Sequence, residues 1–455
     1  MRRKKTAVER FAETPAVVLD RAVKSAERIV PGKKLAKKSL HYWKALGPGL
    51  TTGASDDDPS GIATYSQAGA QFGFNLLWTS VITFPLMAVV QEMCARIGVV
   101  TGRGLAGNIR LHFPKKILFI SAWLLFMANA FNIGADVGAM AKASQLLMPH
   151  LNFNTMVIVF TAVSLGIQIF SNYTKYARYL KWLALVLFAY VFSALLAHID
   201  WGIVLQKGLV PHLTYRKDEL LLLCAILGTT ISPYLFFWQT SQEVEEEIAK
   251  GKLNLKSRQG STTNEVWRMR ADVWVGMLLS NVVMFFIIAA GAAILNAHGI
   301  TQITSADQAA EALRPFAGNA TYFLFAIGII GTGLLALPVL AGSSAYALAE
   351  AYHWREGLSK PLNQAYSFYG ALIICMVAGM AFNFIGLNPF KALVYAAVAN
   401  GLVAPVVLVL ILLLASNKKL MGKWANKPLG NLIGWTTVGL MTVSGIAAIY
   451  ALLQP

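Results

Sequence analysis

The chain has 455 residues, of which 56% come from the set AVILMFWYC and only 13% are charged, against roughly 25% in soluble domains. That balance excludes an ordinary soluble enzyme and points to a polytopic membrane protein, whose lipid-facing surface cannot carry charge. Three cysteines, Cys94, Cys224 and Cys375, all sit in apolar runs, which excludes a disulfide framework or a cysteine metal cluster.

The net charge of +17 is concentrated near the start of the chain. Arg2 to Lys44 holds 13 Lys/Arg against four acids, and residues 1–45 contain no apolar stretch suited to a cleaved leader. A nucleic-acid arm is one reading of such a segment. A cytoplasmic tail against anionic lipid headgroups fits a membrane protein better, so no nucleic-acid partner is expected. Residues 16–29 have the pattern of a short interfacial helix.

Eleven apolar segments follow, each long enough to span a bilayer: 47–72, 75–99, 117–146, 153–171, 178–198, 219–241, 271–296, 319–350, 363–384, 391–415 and 429–452. All should be helices, since an open sheet cannot satisfy its backbone in lipid. With the tail inside, the inner connections carry nineteen Lys/Arg and the outer ones five. That asymmetry predicts a cytoplasmic N-terminus and an extracellular C-terminus. The expected organisation is a basic tail (1–45), segments 1–5 as one half (46–198), segments 6–10 as a second half (219–415) and a last helix (429–455).

Two segments are interrupted. Segment 1 reads GPGLTTGASDDDPSGIATYSQAG, so Asp56, Asp57 and Asp58, then Pro59, Ser60 and Gly61, break an apolar run. A free aspartate in hydrocarbon costs about 3 kcal/mol even on the mild insertion scale, so the break should line a wet cavity. The alternative is that the helix ends at Ala54, but residues 62–72 are then too short to span. Segment 6 carries Gly228, Thr229, Thr230, Ser232 and Pro233 near its middle, which favours unwinding over a simple proline kink. Broken helices at matching positions of two five-helix halves, inverted because five is odd, point to a midplane site of a secondary transporter. Freed carbonyls beside a carboxylate suit a cation.

These residues carry a family resemblance. GPGLTTGASDDDPSG resembles the first helix of Nramp-type divalent metal transporters, IATYSQAGAQFGFNLLWTS and QEMCARIGVVTGRGLA resemble the second helix and its loop, and ARYLKWLALVLFAYV resembles the fifth. The likeness covers most of residues 46–415. It implies an all-α, LeuT-like 5+5 inverted repeat with helices 1 and 6 broken, plus an eleventh helix. By the same resemblance Asp58 falls on the metal-binding aspartate, and Ser55 and Thr229 on positions that offer backbone carbonyls. The departures are as informative. Gly61 stands where the family has asparagine, Ser232 where it has its metal-binding methionine, and Tyr234 where it has the helix 6 histidine. Ala397 stands at a helix 10 glutamine. Asn132 and Ala135 stand at the acidic pair of helix 3, with Asp136 displaced by one and expected to rotate away from the path. The pattern is similar to the Nramp-related magnesium transporters.

Other chemistry is weaker. Asp58 and Asp136 could suggest an intramembrane aspartyl protease, but Gly134-Ala135-Asp136 lacks that pattern's second glycine. Glu92 and Arg96, four apart, should pair with each other, and Lys142 should snorkel outward. Glu243, Glu245, Glu246 and Glu247 read as a solvated face or a cation-attracting vestibule. The seven histidines lie in the tail, loops or helix ends, and Phe236, Phe237 and Trp238 read as packing.

The sequence therefore predicts a non-enzymatic carrier of a divalent cation, Mg2+ first and Mn2+ also, with no cofactor and no obligate protein partner evident. Asp58 supplies charge; the carbonyls of Ser55 and Thr229 and the Ser232 hydroxyl supply neutral oxygens; Asp56 and Asp57 line the wet side of the break; Gly61, Tyr234 and Ala397 line the site. A proton-coupled Mn2+/Fe2+ carrier and a sodium-coupled symporter of a small solute are the alternatives. The expected location is the plasma membrane, the inner membrane if the source is bacterial.

Overall fold

The computed structural model describes residues 47–170, 185–197, 199–211 and 213–453, and among these every regular element is helical. The expected interfacial helix at 16–29, most of segment 5, His198 and His212 lie outside the described residues.

The first apolar segment is two helices. α1 (Pro48–Asp56) stops at the aspartate run, and α2 (Pro59–Phe72) restarts after it. Asp58 is the N-cap of α2 and Pro59 occupies its first turn, where a missing N–H costs nothing. Next come α3 (Trp78–Thr101), α4 (Leu105–His112), α5 (Lys115–Leu147) and α6 (Phe153–Phe170). After α7 (Phe188–Leu196) and α8 (Trp201–Leu209), segment 6 repeats the device of segment 1. α9 (Lys217–Thr230) ends, Ser232 is the N-cap, and α10 (Pro233–Ala249) restarts on a proline. Then follow α11 (Thr263–Ala290), α12 (Thr321–Tyr352), α13 (Tyr366–Ala381), α14 (Pro389–Ser416) and α15 (Pro428–Leu453).

Among the described residues nine helical runs are long and apolar enough to cross a membrane. They correspond to nine of the eleven expected segments. Segment 1 is missing because its three aspartates and the polar residues after them make it too polar, whereas segment 6 is counted across its break, and segment 5 because most of it is not described. Segment 7 begins eight residues earlier than expected. Thr262 accepts the Glu265 N–H while Glu265 accepts the Thr262 N–H, a capping box that starts α11 well before its apolar stretch.

The broken helices are held close to their neighbours by small residues. A Cβ on Gly53 of α1 would lie 2.3 Å from the carbonyl oxygen of Gly276 on α11, so the two backbones touch. Asp272 of α11 accepts the N–H of Gly49 at 2.7 Å and of Leu50 at 3.3 Å, which satisfies and neutralises the positive start of α1. Gly228 of α9 gives the same close approach to α14, where its Cβ would meet the Ala397 carbonyl oxygen at 2.1 Å.

Three side-chain expectations need correction or detail. Glu92 pairs with Arg96 at 3.6 Å as expected, but its closer partner is Arg270 at 3.0 Å. Lys142 bonds Gln145 at 3.1 Å and lies 5.2 Å from the Phe153 ring centroid. The glutamate run is no solvated face: Glu243 and Glu247 are buried, Gln239 donates to Glu243, and Tyr346 donates to Glu245. The end of α10 is packed between other helices, so three of its carboxylates meet protein donors rather than water; the third is Glu247, bonded by Lys252.

Candidate metal site

Both breaks present the same electrostatics. The C-terminal carbonyls of α1 and α9 and the N-termini of α2 and α10 meet in the protein interior, and a helix end carries about half an elementary charge. Carbonyl ends attract a cation. The positive start of α2 is answered by Asp58, whose Oδ1 accepts the Gly61 N–H at 2.8 Å and the Ser60 hydroxyl at 2.6 Å. Its Oδ2 faces away from its own helix and accepts Asn132 Nδ2 of α5 at 3.0 Å.

Tyr234, in the first turn of α10, closes this group. Its hydroxyl lies 3.2 Å from the Ser55 carbonyl oxygen and 3.5 Å from Asp58 Oδ2, so a single proton serves one of two acceptors. Ser232 turns the other way. Its hydroxyl lies 2.8 Å from the Gly228 carbonyl and 2.7 Å from the Thr229 carbonyl. Gly61 joins the two sets, since a Cβ there would sit 3.3 Å from both the Asp56 carbonyl oxygen and Thr229 Oγ1. Any side chain at 61 would intrude between the breaks.

Asp56 and Asp57 point elsewhere. Ser280 of α11 lies 2.5 Å from Asp56 Oδ2 and 3.3 Å from Asp57 Oδ1, so the pair faces α11 rather than Asp58. Asp56 Oδ1 is enclosed with no hydrogen-bond partner among the described residues. All three aspartates, Ser55, Thr229, Ser232 and Tyr234 are buried. Among the described residues no three His, Cys, Asp or Glu side chains converge as a metal-holding group. Asp58 is the carboxylate nearest the Ser55 carbonyl and the Tyr234 hydroxyl, and the Asn132 amide bonds it from α5.

Asp136 was expected to rotate away, and it does not. Positions 132 and 136 are one turn apart on α5, so they share a face, and Asn132 Nδ2 bonds Asp136 Oδ2 at 3.1 Å while bonding Asp58. Comparison with position 135 misled, because Asn132 itself carries the link. Asn400 of α14 was also missed. It donates to Asn132 Oδ1 at 3.3 Å, and its own Oδ1 is enclosed without a partner. A lone asparagine in an otherwise apolar run was the available signal. Ala397, one turn earlier, reaches this region through its carbonyl on Gly228. Two thioethers lie near the breaks, outside the oxygen group: Met284 Sδ is 3.7 Å from Thr230 Oγ1, and a Cβ on Gly333 would meet both Met140 Sδ and Pro59.

Comparison with known proteins adds the family. The model described as Nramp, natural resistance-associated macrophage protein-like, matches residues 49–451. The chain is 25% identical over 425 residues to the divalent metal cation transporter MntH of Caldanaerobacter subterraneus subsp. tengcongensis, covering 92% of this chain and 94% of that one. It is 27% identical over 410 residues to the protein of that name from Klebsiella pneumoniae subsp. pneumoniae, covering 87% and 91%. Among solved structures it matches the Eremococcus coleocola manganese transporter with a TM-score of 0.69 at 21% identity, over 90% of this chain and 88% of that chain. It matches inward-facing Mhp1 with a TM-score of 0.51 at 15% identity, over 89% of each. These two likenesses establish the fold, an all-α LeuT-like inverted repeat, and nothing finer.

Proposed function

This chain belongs to the Nramp family of membrane transporters, and on that premise we propose that it carries a divalent metal cation, Mg2+ in preference and Mn2+ also. The curated relatives are named divalent metal cation transporters, and the Eremococcus structure is of a manganese transporter. The observation that supports the magnesium reading is that the acceptors gathered at Asp58 are oxygens, its own carboxylate and the Ser55 carbonyl joined to it through the Tyr234 hydroxyl; in this reading the Thr229 carbonyl and the Ser232 hydroxyl turn in to complete an all-oxygen set. Hard ions prefer such donors, whereas a thioether favours softer ones. On this view Gly61 and Ala397 keep bulk out of the way of an ion that retains several of its waters, since even a Cβ at 61 would lie 3.3 Å from the Asp56 carbonyl oxygen and Thr229 Oγ1. In this reading Tyr234 releases the Ser55 carbonyl and Ser232 releases the Thr229 carbonyl when the ion enters.

Transport is proposed to run inward, uncoupled from protons and driven by the membrane potential, with the N-terminus and its basic tail on the cytoplasmic face of the plasma membrane. A second reading, a manganese or iron carrier, is favoured by the Met284 sulfur behind Thr230. Influx into proteoliposomes, followed with dyes for Mg2+, Mn2+ and Ca2+ and with a labelled amino-acid mixture, tests both. Magnesium influx that a large manganese excess slows is the expected result. Manganese flux indifferent to a large magnesium excess gives the second reading, and amino-acid uptake without metal flux overturns both.

A further inference from the structure

Away from the broken helices, a cavity of about 600 Å3 opens where three spans end on one face of the protein. Its walls come from the turn after α3 (Arg103, Asn108), the residues just before α11 (Ser261) and the connection between α14 and α15 (Lys419, Lys423, Trp424). Every charged residue in the lining is a cation. Neither Arg103 nor Lys419 has an ion-pair partner among the described residues. Lys423 Nζ lies 5.0 Å from the Trp424 ring centroid, which leaves its donors to a ligand.

Basic residues on the cytoplasmic side follow from topology alone. A cavity whose Arg103 turn is pinned by a buried asparagine does not. Asn108 is wholly buried and gives its Nδ2 protons to Thr101 Oγ1 at 3.0 Å and to the Arg103 and Gly104 carbonyls at 3.1 and 2.8 Å. Its Oδ1 is enclosed without a partner. Three like charges around one cavity repel unless an anion joins them, and an arginine fork matches phosphate oxygens.

We propose that this cavity is a binding site for a phosphate-bearing anion, held by Arg103, Lys419 and Lys423, with Asn108 fixing the turn that carries Arg103. The phosphate comes from an anionic lipid headgroup or from a soluble phosphate compound; the recognition chemistry is the same. The proposal is independent of which ion is transported.

The test uses the purified full chain in detergent. Binding of dioctanoyl phosphatidylglycerol, inorganic phosphate and dioctanoyl phosphatidylcholine is titrated by native mass spectrometry and thermal shift. Wild type should bind the anionic probes and not the zwitterionic one. The Arg103→Gln/Lys419→Gln/Lys423→Gln variant should bind at least about tenfold more weakly, a loss of about 1.4 kcal/mol or more. Lys115→Gln/Lys116→Gln/Lys256→Gln, on the same face but outside the cavity, should bind as wild type, and Arg103→Gln alone should show part of the loss. Phosphatidylglycerol bound without inorganic phosphate gives a lipid source; comparable binding of both gives a soluble one. Equal losses in the two triple variants, an unaffected cavity variant, or wild type binding neither anion would overturn the proposal.

Discussion

Asp58 does two jobs with two oxygens. Oδ1 caps α2, and Oδ2 is offered to Asn132, Tyr234 and, in the proposed mechanism, the ion. Asp58→Ala should abolish divalent influx in proteoliposomes and lower the thermal midpoint by the loss of a cap, about 1 kcal/mol. Asp58→Asn keeps the cap and should abolish influx with little change in midpoint. Flux near the wild-type level in Asp58→Asn would remove the carboxylate from the site. Ser232→Ala should be milder, because a water can replace the hydroxyl. Asp58 was legible in sequence because a charge beside proline and glycine in an apolar run has few explanations. The links made by Asn132, Asn400 and Ser280 were not, since a neutral polar residue in a membrane helix carries no such penalty and its partners lie on other helices. Met284→Leu should leave magnesium flux intact and lower manganese flux if the sulfur contributes; unchanged manganese flux would retire that second reading.

Elements show where apolar length is a good guide and where it fails. The ends of α3, α5, α6, α14 and α15 fall within a few residues of the expected segments because bilayer thickness sets their length. α11 overran its segment because Glu265, Arg268 and Arg270 extend the helix beyond the bilayer, where apolar run length says nothing. Contacts between elements were not legible at all. The α1–α11 backbone contact depends on Gly53 facing Gly276, and sequence spacing does not reveal partners across segments. Gly53→Ala would place a methyl 2.3 Å from a carbonyl oxygen, and such overpacking costs about 1–3 kcal/mol. Its thermal midpoint in detergent should fall by several degrees; an unchanged midpoint would mean that α1 leaves α11 freely. Beyond α12, Glu356 is half-buried with Oε2 enclosed and unpartnered among the described residues. Burial, then the charge of Glu350, pushes its carboxyl from 4.5 up to about 9. The folded state then binds more protons than the unfolded one between those values, so stability should fall as pH rises through that window. The midpoint of Glu356→Gln should vary less between pH 5 and 9, and parallel profiles would exclude this group.

At the scale of the whole molecule the question is what drives the ion. Proton coupling needs titratable groups leading from the site to the cytoplasmic side. Asp136 is linked to Asp58 through Asn132, yet α5 runs from the basic Lys115 end, so Asp136 lies one turn beyond Asn132 toward the opposite face. Toward the Lys115 end, cytoplasmic in the proposed orientation, the next polar residue of α5 is Asn129, which donates to the Leu340 carbonyl and to the hydroxyls of Ser343 and Ser344. None of these groups titrates near neutral pH. The potential can supply the work instead: a doubly charged ion gains about 4.6 kcal/mol per 100 mV, worth a concentration ratio above about a thousandfold. Magnesium influx at a clamped inside-negative potential should therefore leave a pH-sensitive dye inside the proteoliposomes unchanged, and the rate should rise with the potential. The same result is expected for Asp136→Asn. Acidification that follows the metal and disappears in Asp136→Asn would show that protons do travel with the ion, entering through the side chain that Asn132 ties to the site.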